Sequence, residues 1–185
     1  MGRVLNKTTS YQLKLTGIPA EFQQFEYPID DEFFKQMESS EILGGSLKVA
    51  LKAKRTQGKN YELHFAIKGT IKIVCDRCLE EMPYDVDTTY DLLVKHGEEY
   101  NDEDDELLII PESENEVDLS HVIYDTIALT IPLKHVHREG ECNEEMSAML
   151  REHGFATDDD AKEEREVNDP RWSALRNLLD NNKNT

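Results

Sequence analysis

The chain has 185 residues, of which 38% are hydrophobic and 32% charged, with a formal net charge of −18. That length supports one sizeable core with an appendage, and no apolar run nears the roughly 20 residues that would cross a bilayer. Three cysteines, an odd number, argue against a disulfide framework and fit a reducing compartment, so the expected location is cytoplasmic.

The segment from Met1 to Asn6 lacks the apolar core of a secretory signal, and Asn6 stands where a myristoylation motif needs Ser or Thr. Residues 11–16 alternate apolar and polar and predict a first strand, ended by Gly17 and Pro19. Phe22 to Ile29 reads as a second extended piece, kept non-helical near its end by Pro28. Asp30 to Met37 predicts a short helix with acids at its N-terminal end, where the dipole favours them. Gly44 and Gly45 then break the chain.

Over 46–55, Leu47, Val49, Leu51 and Ala53 share one face while Lys48, Lys52 and Lys54 share the other. Beyond a turn at 56–60, Leu63, Phe65, Ile67, Ile71 and Ile73 take one face, and Glu62, His64, Lys68 and Lys72 the opposite one. Period-two alternation of this length predicts a hairpin with one buried and one wet face. Between Ser46 and Val74, seven cations, with Arg55 and Lys59 completing the set, meet the single acid Glu62. That segment is a net +6, which leaves −24 for the rest of the chain. Its lysines read either as a solvated face protected from edge pairing or as a phosphate-binding surface, with the acids kept elsewhere.

Cys75-Asp-Arg-Cys78 follows this hairpin on a tight turn, and Tyr84 to Val94 predicts the next strand, with Val86, Thr88, Tyr90 and Leu92 on one face. Residues 98–106 are too acidic to fold alone and are expected to form a mobile loop. Leu107 to Ile110 reads as a short strand stopped by Pro111. Asp118 to Thr130 predicts a helix with Asp118 as N-cap, an inward stripe of Leu119, Val122, Ile123 and Ile127, and Pro132 as its stop. Residues 143–153 predict a further helix with Gly154 as its stop, and 156–168 an acidic flexible linker. The last helix, 169–180, carries the apolar stripe Trp172, Leu175, Leu178 and Leu179. A lone helix of that length is marginal in water, so it must dock on its own body or on a partner.

The resulting expectation is an α+β protein: an antiparallel β-sheet or partial barrel over 1–111, with helices of 117–155 packed on it in a single domain. Residues 156–168 follow as linker and 169–180 as docking helix.

Two thiolates at CxxC spacing can point at one ion, and zinc wants four ligands. The segment containing His135, His137 and Cys142 is the one place where the remaining cysteine and a histidine sit close together. The set Cys75, Cys78, His137 and Cys142 therefore reads as one structural zinc site, or as small buried thiols beside a surface histidine. His137 is preferred to His135 because it lies five residues before Cys142, which leaves the loop Arg-Glu-Gly-Glu, with Gly140 able to turn it. Redox exchange at the CxxC lacks an activating helix N-terminus, and a metal hydrolase would need carboxylates and an open position.

The ordered set of Cys75-Asp-Arg-Cys78, the acidic loop, the helix from Asp118 to Pro132, His137 with Cys142, and Asp169-Pro-Arg-Trp172 resembles the YceD family, in its Bacteroidetes version. The resemblance runs from about residue 45 to about 180. It implies a non-enzymatic role in large-subunit ribosome biogenesis, in accumulation or processing of 23S rRNA, with no catalytic residue, no small-molecule substrate and no membrane. The expected contacts to rRNA or its precursor are Lys48, Lys52, Lys54, Arg55, Lys59, Lys68, Lys72 and Arg77. The alternative is an acidic adaptor that binds ribosomal or other assembly proteins.

Overall fold

The fold is that of a computed structural model, which describes residues 11–153. The chain forms two compact units, Met1–Cys142 and Asn143–Thr185. The first holds β1 (Gln12–Lys14), β2 (Gln23–Ile29), α1 (Asp31–Gln36), β3 (Ile42–Arg55) and β4 (Tyr61–Val74). It continues with β5 (Glu81–Gly97), β6 (Asn101–Asp104), β7 (Leu107–Pro111), β8 (Glu116–Asp118) and α2 (Ser120–Ala128). A six-stranded sheet runs in the order β2-β3-β4-β5-β7-β6, and β1 pairs with β8 apart from it. The fold is α+β, as the alternation predicts, but the sheet is open and mixed: β7 runs parallel to β5. A partial barrel of antiparallel strands is therefore too specific a description.

The long β3–β4 hairpin is the centre of the core. Its inward residues, Leu47, Val49, Leu51 and Ala53 facing Leu63, Phe65, Ile67, Ile71 and Ile73, are all buried. Each large one removed from water contributes about 1.5–3 kcal/mol. Gly69 interrupts that inward row opposite Leu47, at a φ of +151°. A Cβ at Gly69 would run into the carbonyl oxygen of Ser46 and the backbone of Leu47. The glycine lets the two strands approach there.

Strand β3 also runs through Gly44 and Gly45, which the sequence reads as a break. A Cβ at Gly45 would lie 2.8 Å from the Thr70 carbonyl oxygen, so the glycine serves close strand approach with a bulge between Ile42 and Gly44. The acidic stretch differs too: Asn101–Asp104 pairs antiparallel with β7 instead of forming a loop. Backbone pairing to the apolar β7 outweighs the low propensity of the acids for strand.

Helix α1 buries Phe33 and Phe34, and the Asp30 carboxylate caps it by accepting from Glu32 N at 3.1 Å. Helix α2 buries Ile123 and Ile127, with Leu119 buried just before it and Val122 half-buried. Asp118 is not its N-cap; it ends β8, and its carboxylate accepts from Ser120 N at 2.8 Å and Ser120 Oγ at 2.6 Å. Tyr84 Oη donates to Thr130 O at 2.6 Å and Tyr124 Oη to Ser39 Oγ at 3.1 Å, which ties α2 and the residues after it to β5 and to the segment after α1.

Of the second unit, the structure describes α3 (Glu144–Glu152), capped by Asn143, whose side chain accepts from Glu145 N at 2.9 Å and Met146 N at 3.1 Å. The predicted stop at Gly154, the linker at 156–168, and the 169–180 helix with Trp172, Leu175, Leu178 and Leu179 lie outside the described residues.

Candidate metal centre and charged surfaces

The turn between β4 and β5 is shaped by its own backbone. Cys75 N donates to Glu80 O at 2.8 Å, and Leu79 N to Cys75 O at 3.0 Å. Leu79 takes the left-handed conformation at φ +61°, an unfavourable choice for a branched residue that closes the turn tightly. Arg77 N points at Cys75 Sγ from 3.4 Å.

A strap from the segment after α2 locks onto this turn. Asp76 N donates to His135 O at 2.9 Å, and His135 N donates to Asp76 Oδ2 at 2.8 Å. His137 N then reaches Cys75 Sγ at 3.4 Å. The result brings Cys75, Cys78, His137 and Cys142 together, with ligand atoms all within 4.8 Å of one another. Cys75 Sγ lies 4.0 Å from Cys142 Sγ, and His137 Nδ1 lies 3.3 Å from Cys78 Sγ and 4.0 Å from Cys142 Sγ. His135 stays out of the group: its ring contacts Pro132 O at 3.0 Å and Asp76 at 3.5 Å.

These separations fit the edges of a tetrahedron around zinc, where bonds of about 2.3 Å to sulfur set sulfur–sulfur edges near ~3.8 Å. The electrostatics point the same way. Burial works to raise the Cys75 thiol, but hydrogen bonds from Cys78, His137 and Arg77 outweigh it and hold it at about 6. Cys142 is pushed up to about 11 by burial and by the neighbouring Cys78 and Cys75. For His137, burial is outweighed by hydrogen bonds to the same two sulfurs and by their charge, so its pKa is raised. Three sulfurs this close cannot all ionise without a cation among them. With three cysteines and one histidine supplying four ligands, such a site is closed and structural, with no position left for a substrate.

The other predicted residues spread more widely. Lys48 and Lys52, with the half-buried Lys54, share the outer face of β3, and Lys68 and Lys72 share the same face on β4. Lys48 stands directly opposite Lys68. Arg55 ends β3 on the other parity, Lys59 lies in the β3–β4 turn, and Arg77 lies in the cysteine turn. The acids are not kept elsewhere. Glu26 of β2 pairs with Lys48 at 2.9 Å, Glu62 with Lys54 at 2.5 Å, and Asp87 of β5 with Lys68 at 3.0 Å. Asp85 and Asp91 extend the acidic row along β5, bonding Thr70 at 2.9 Å and His64 at 2.5 Å. The outer face is thus a basic band on β3–β4 flanked by an acidic band on β5. The sequence signal was there, in the polar phase of β5 that alternates with Val86 and Leu92.

A further surface has no counterpart in the sequence reading. Acids from the β6–β7 hairpin, from β8 and its approach, and from α2 line one groove.

The family described as "Large ribosomal RNA subunit accumulation protein YceD" matches residues 63–179. The chain belongs to that family. Membership connects it to the large ribosomal subunit and its RNA. The match begins at Leu63, inside β4, so it spans the cysteine turn, the strap and the acidic groove but leaves β3 with Lys48, Lys52 and Lys54 outside. No curated protein and no solved structure gives a significant match. Among the described residues, no helix is long and apolar enough to cross a membrane.

Proposed function

We propose that the protein acts without catalysis in large-subunit biogenesis, binding 23S rRNA or its precursor through the outer face of β3–β4 and so favouring its accumulation in the cytoplasm. The observation that carries this reading is the alignment of Lys48, Lys52, Lys68 and Lys72 on one exposed face, with Lys48 and Lys68 directly opposed. Like charges so placed repel each other, and a phosphate relieves that repulsion. The flanking pairs to Glu26 and Asp87 are no obstacle, because all four side chains are more than 60% exposed and such pairs hold by only about 0–1 kcal/mol. Cys75, Cys78, His137 and Cys142 hold one zinc ion that fixes the strap against the cysteine turn.

The test is the triple variant Lys48→Glu, Lys52→Glu, Lys68→Glu, titrated with a 23S rRNA fragment at several salt concentrations. Affinity is expected to fall by about a hundredfold or more, with a shallower salt slope. Unchanged affinity would remove this face from the reading.

A further inference from the structure

The groove noted above has a volume of about 610 Å³ and lies in the first unit between the β6–β7 hairpin and α2. Its floor is apolar, formed by Leu92, Leu108, Ile110, Val117 and Val122. At its mouth stand two large side chains that a folded chain ordinarily covers: Leu129 is 86% exposed and Tyr100 57%. One wall carries Asp102, Asp104 and Asp105. The segment up to and including β8 adds Glu114, Glu116 and Asp118, and α2 adds Asp125. Among the described residues no lysine or arginine lines it, and Lys14 reaches Glu116 from outside at 3.4 Å.

We infer that this groove is a docking site for a basic polypeptide segment, one whose lysines or arginines flank aliphatic side chains. Charge complementarity selects the occupant. The seven carboxylates repel nucleic acid. They also stand too far apart to share one ion: among the described residues, the group whose ligand atoms come together is the Cys75–Cys142 cluster. Cations spaced along a chain match walls spaced along a groove, and the apolar floor takes the side chains between them. The phenols inside register the same field. Tyr90 is raised by burial and then by Asp105, Glu106, Asp104 and Asp125, and Tyr100 by burial and then by Asp102.

This surface is separate from the lysine face, so charge reversal at Lys48, Lys52 and Lys68 leaves peptide binding intact, and the two readings fail independently. It gives the protein-binding alternative a defined place.

The experiment measures fluorescence anisotropy of a labelled short peptide of alternating lysine and arginine with two central leucines, titrated with the full-length chain. Neutralising the walls with Asp105→Asn and Asp125→Asn is expected to weaken binding about tenfold and to flatten its salt dependence. Leu129→Ser is expected to weaken it about fivefold with the salt dependence kept. Circular dichroism verifies that each variant is folded, and the outer-face pair Asp85→Asn, Asp87→Asn serves as control. Equal loss in that control would overturn the proposal, as would equal binding of a peptide with serines in place of the leucines. Displacement of the peptide by spermidine at matched charge would assign the groove to a polyamine instead. Self-association of the chain that Leu129→Ser abolishes would assign it to a second copy.

Discussion

Strand β5 separates two surfaces that handle charge in opposite ways. On its outer side, Asp85, Asp87 and Asp91 meet Thr70, Lys68 and His64 across a single strand boundary, so each of these three acids has a partner within reach. On its inner side, Tyr90 and Leu92 belong to a groove lined by seven acids and, among the described residues, by no lysine or arginine; Lys14 reaches one of them, Glu116, from outside. The first arrangement costs little and gives little, because exposed pairs are nearly neutral in free energy. The second is a largely uncompensated field over apolar surface, which lowers stability on its own and is relieved by a partner. The contrast teaches where to look: net charge says less than which charges are left unanswered.

The largest expected effect comes from the metal and falls on stability. Chelation, or Cys75→Ala with Cys78→Ala, should take the protein from about one zinc per chain to none and lower Tm by about 10 °C. Elemental analysis and calorimetry check this; a metal-free protein of unchanged Tm would contradict it. Neither surface includes the cysteine turn, so RNA and peptide affinities at a temperature where the variant is folded should survive the loss.

Gly69→Ala strikes the frame that β5 is built on. A Cβ there meets Ser46 and Leu47 backbone at a φ ill suited to alanine, so urea unfolding should show a loss of about 2–3 kcal/mol.

The contrast itself is read by tyrosine titration. Because the Tyr90 phenol is raised above its ordinary value of 10.0, it stays neutral to higher pH in the folded chain. Its contribution to stability is therefore complete below the unfolded value and is lost as pH rises through the folded one. Asp105→Asn with Asp125→Asn should bring the ultraviolet titration of Tyr90 back towards normal, whereas Asp85→Asn with Asp87→Asn should not move it. Smallest of all, Lys68→Ala should change stability by no more than about 0.5–1 kcal/mol, since its pair with Asp87 is exposed.

Much of this was legible in the chain. The alternation in β3 and β4 named the buried and wet faces residue by residue, because a two-residue period has one physical meaning. The cysteine set was legible because a CxxC needs two more ligands and the chain offers few. What escaped were features that depend on pairing across distance. Asp85, Asp87 and Asp91 were hidden behind the apolar phase of their own strand, although they decide the charge of the lysine face. The groove acids come from the β6–β7 hairpin, from β8 with its approach and from α2, segments that only the folded chain brings together. Gly44 and Gly45 read as a break because glycine marks both breaks and close approaches. The strand at Asn101–Asp104 was masked by composition, since its acids hide a backbone that only needs an apolar neighbour to pair with.

The alternation along β5 also bears on how the chain finds its fold. Sliding that strand by a single residue against β4 would drive Asp85, Asp87 and Asp91 into the interior and turn Val86 and Leu92 out to water. Mispaired intermediates would thus be heavily penalised at several positions simultaneously, so the acidic row works as an alignment mark that admits one pairing and rejects its neighbours.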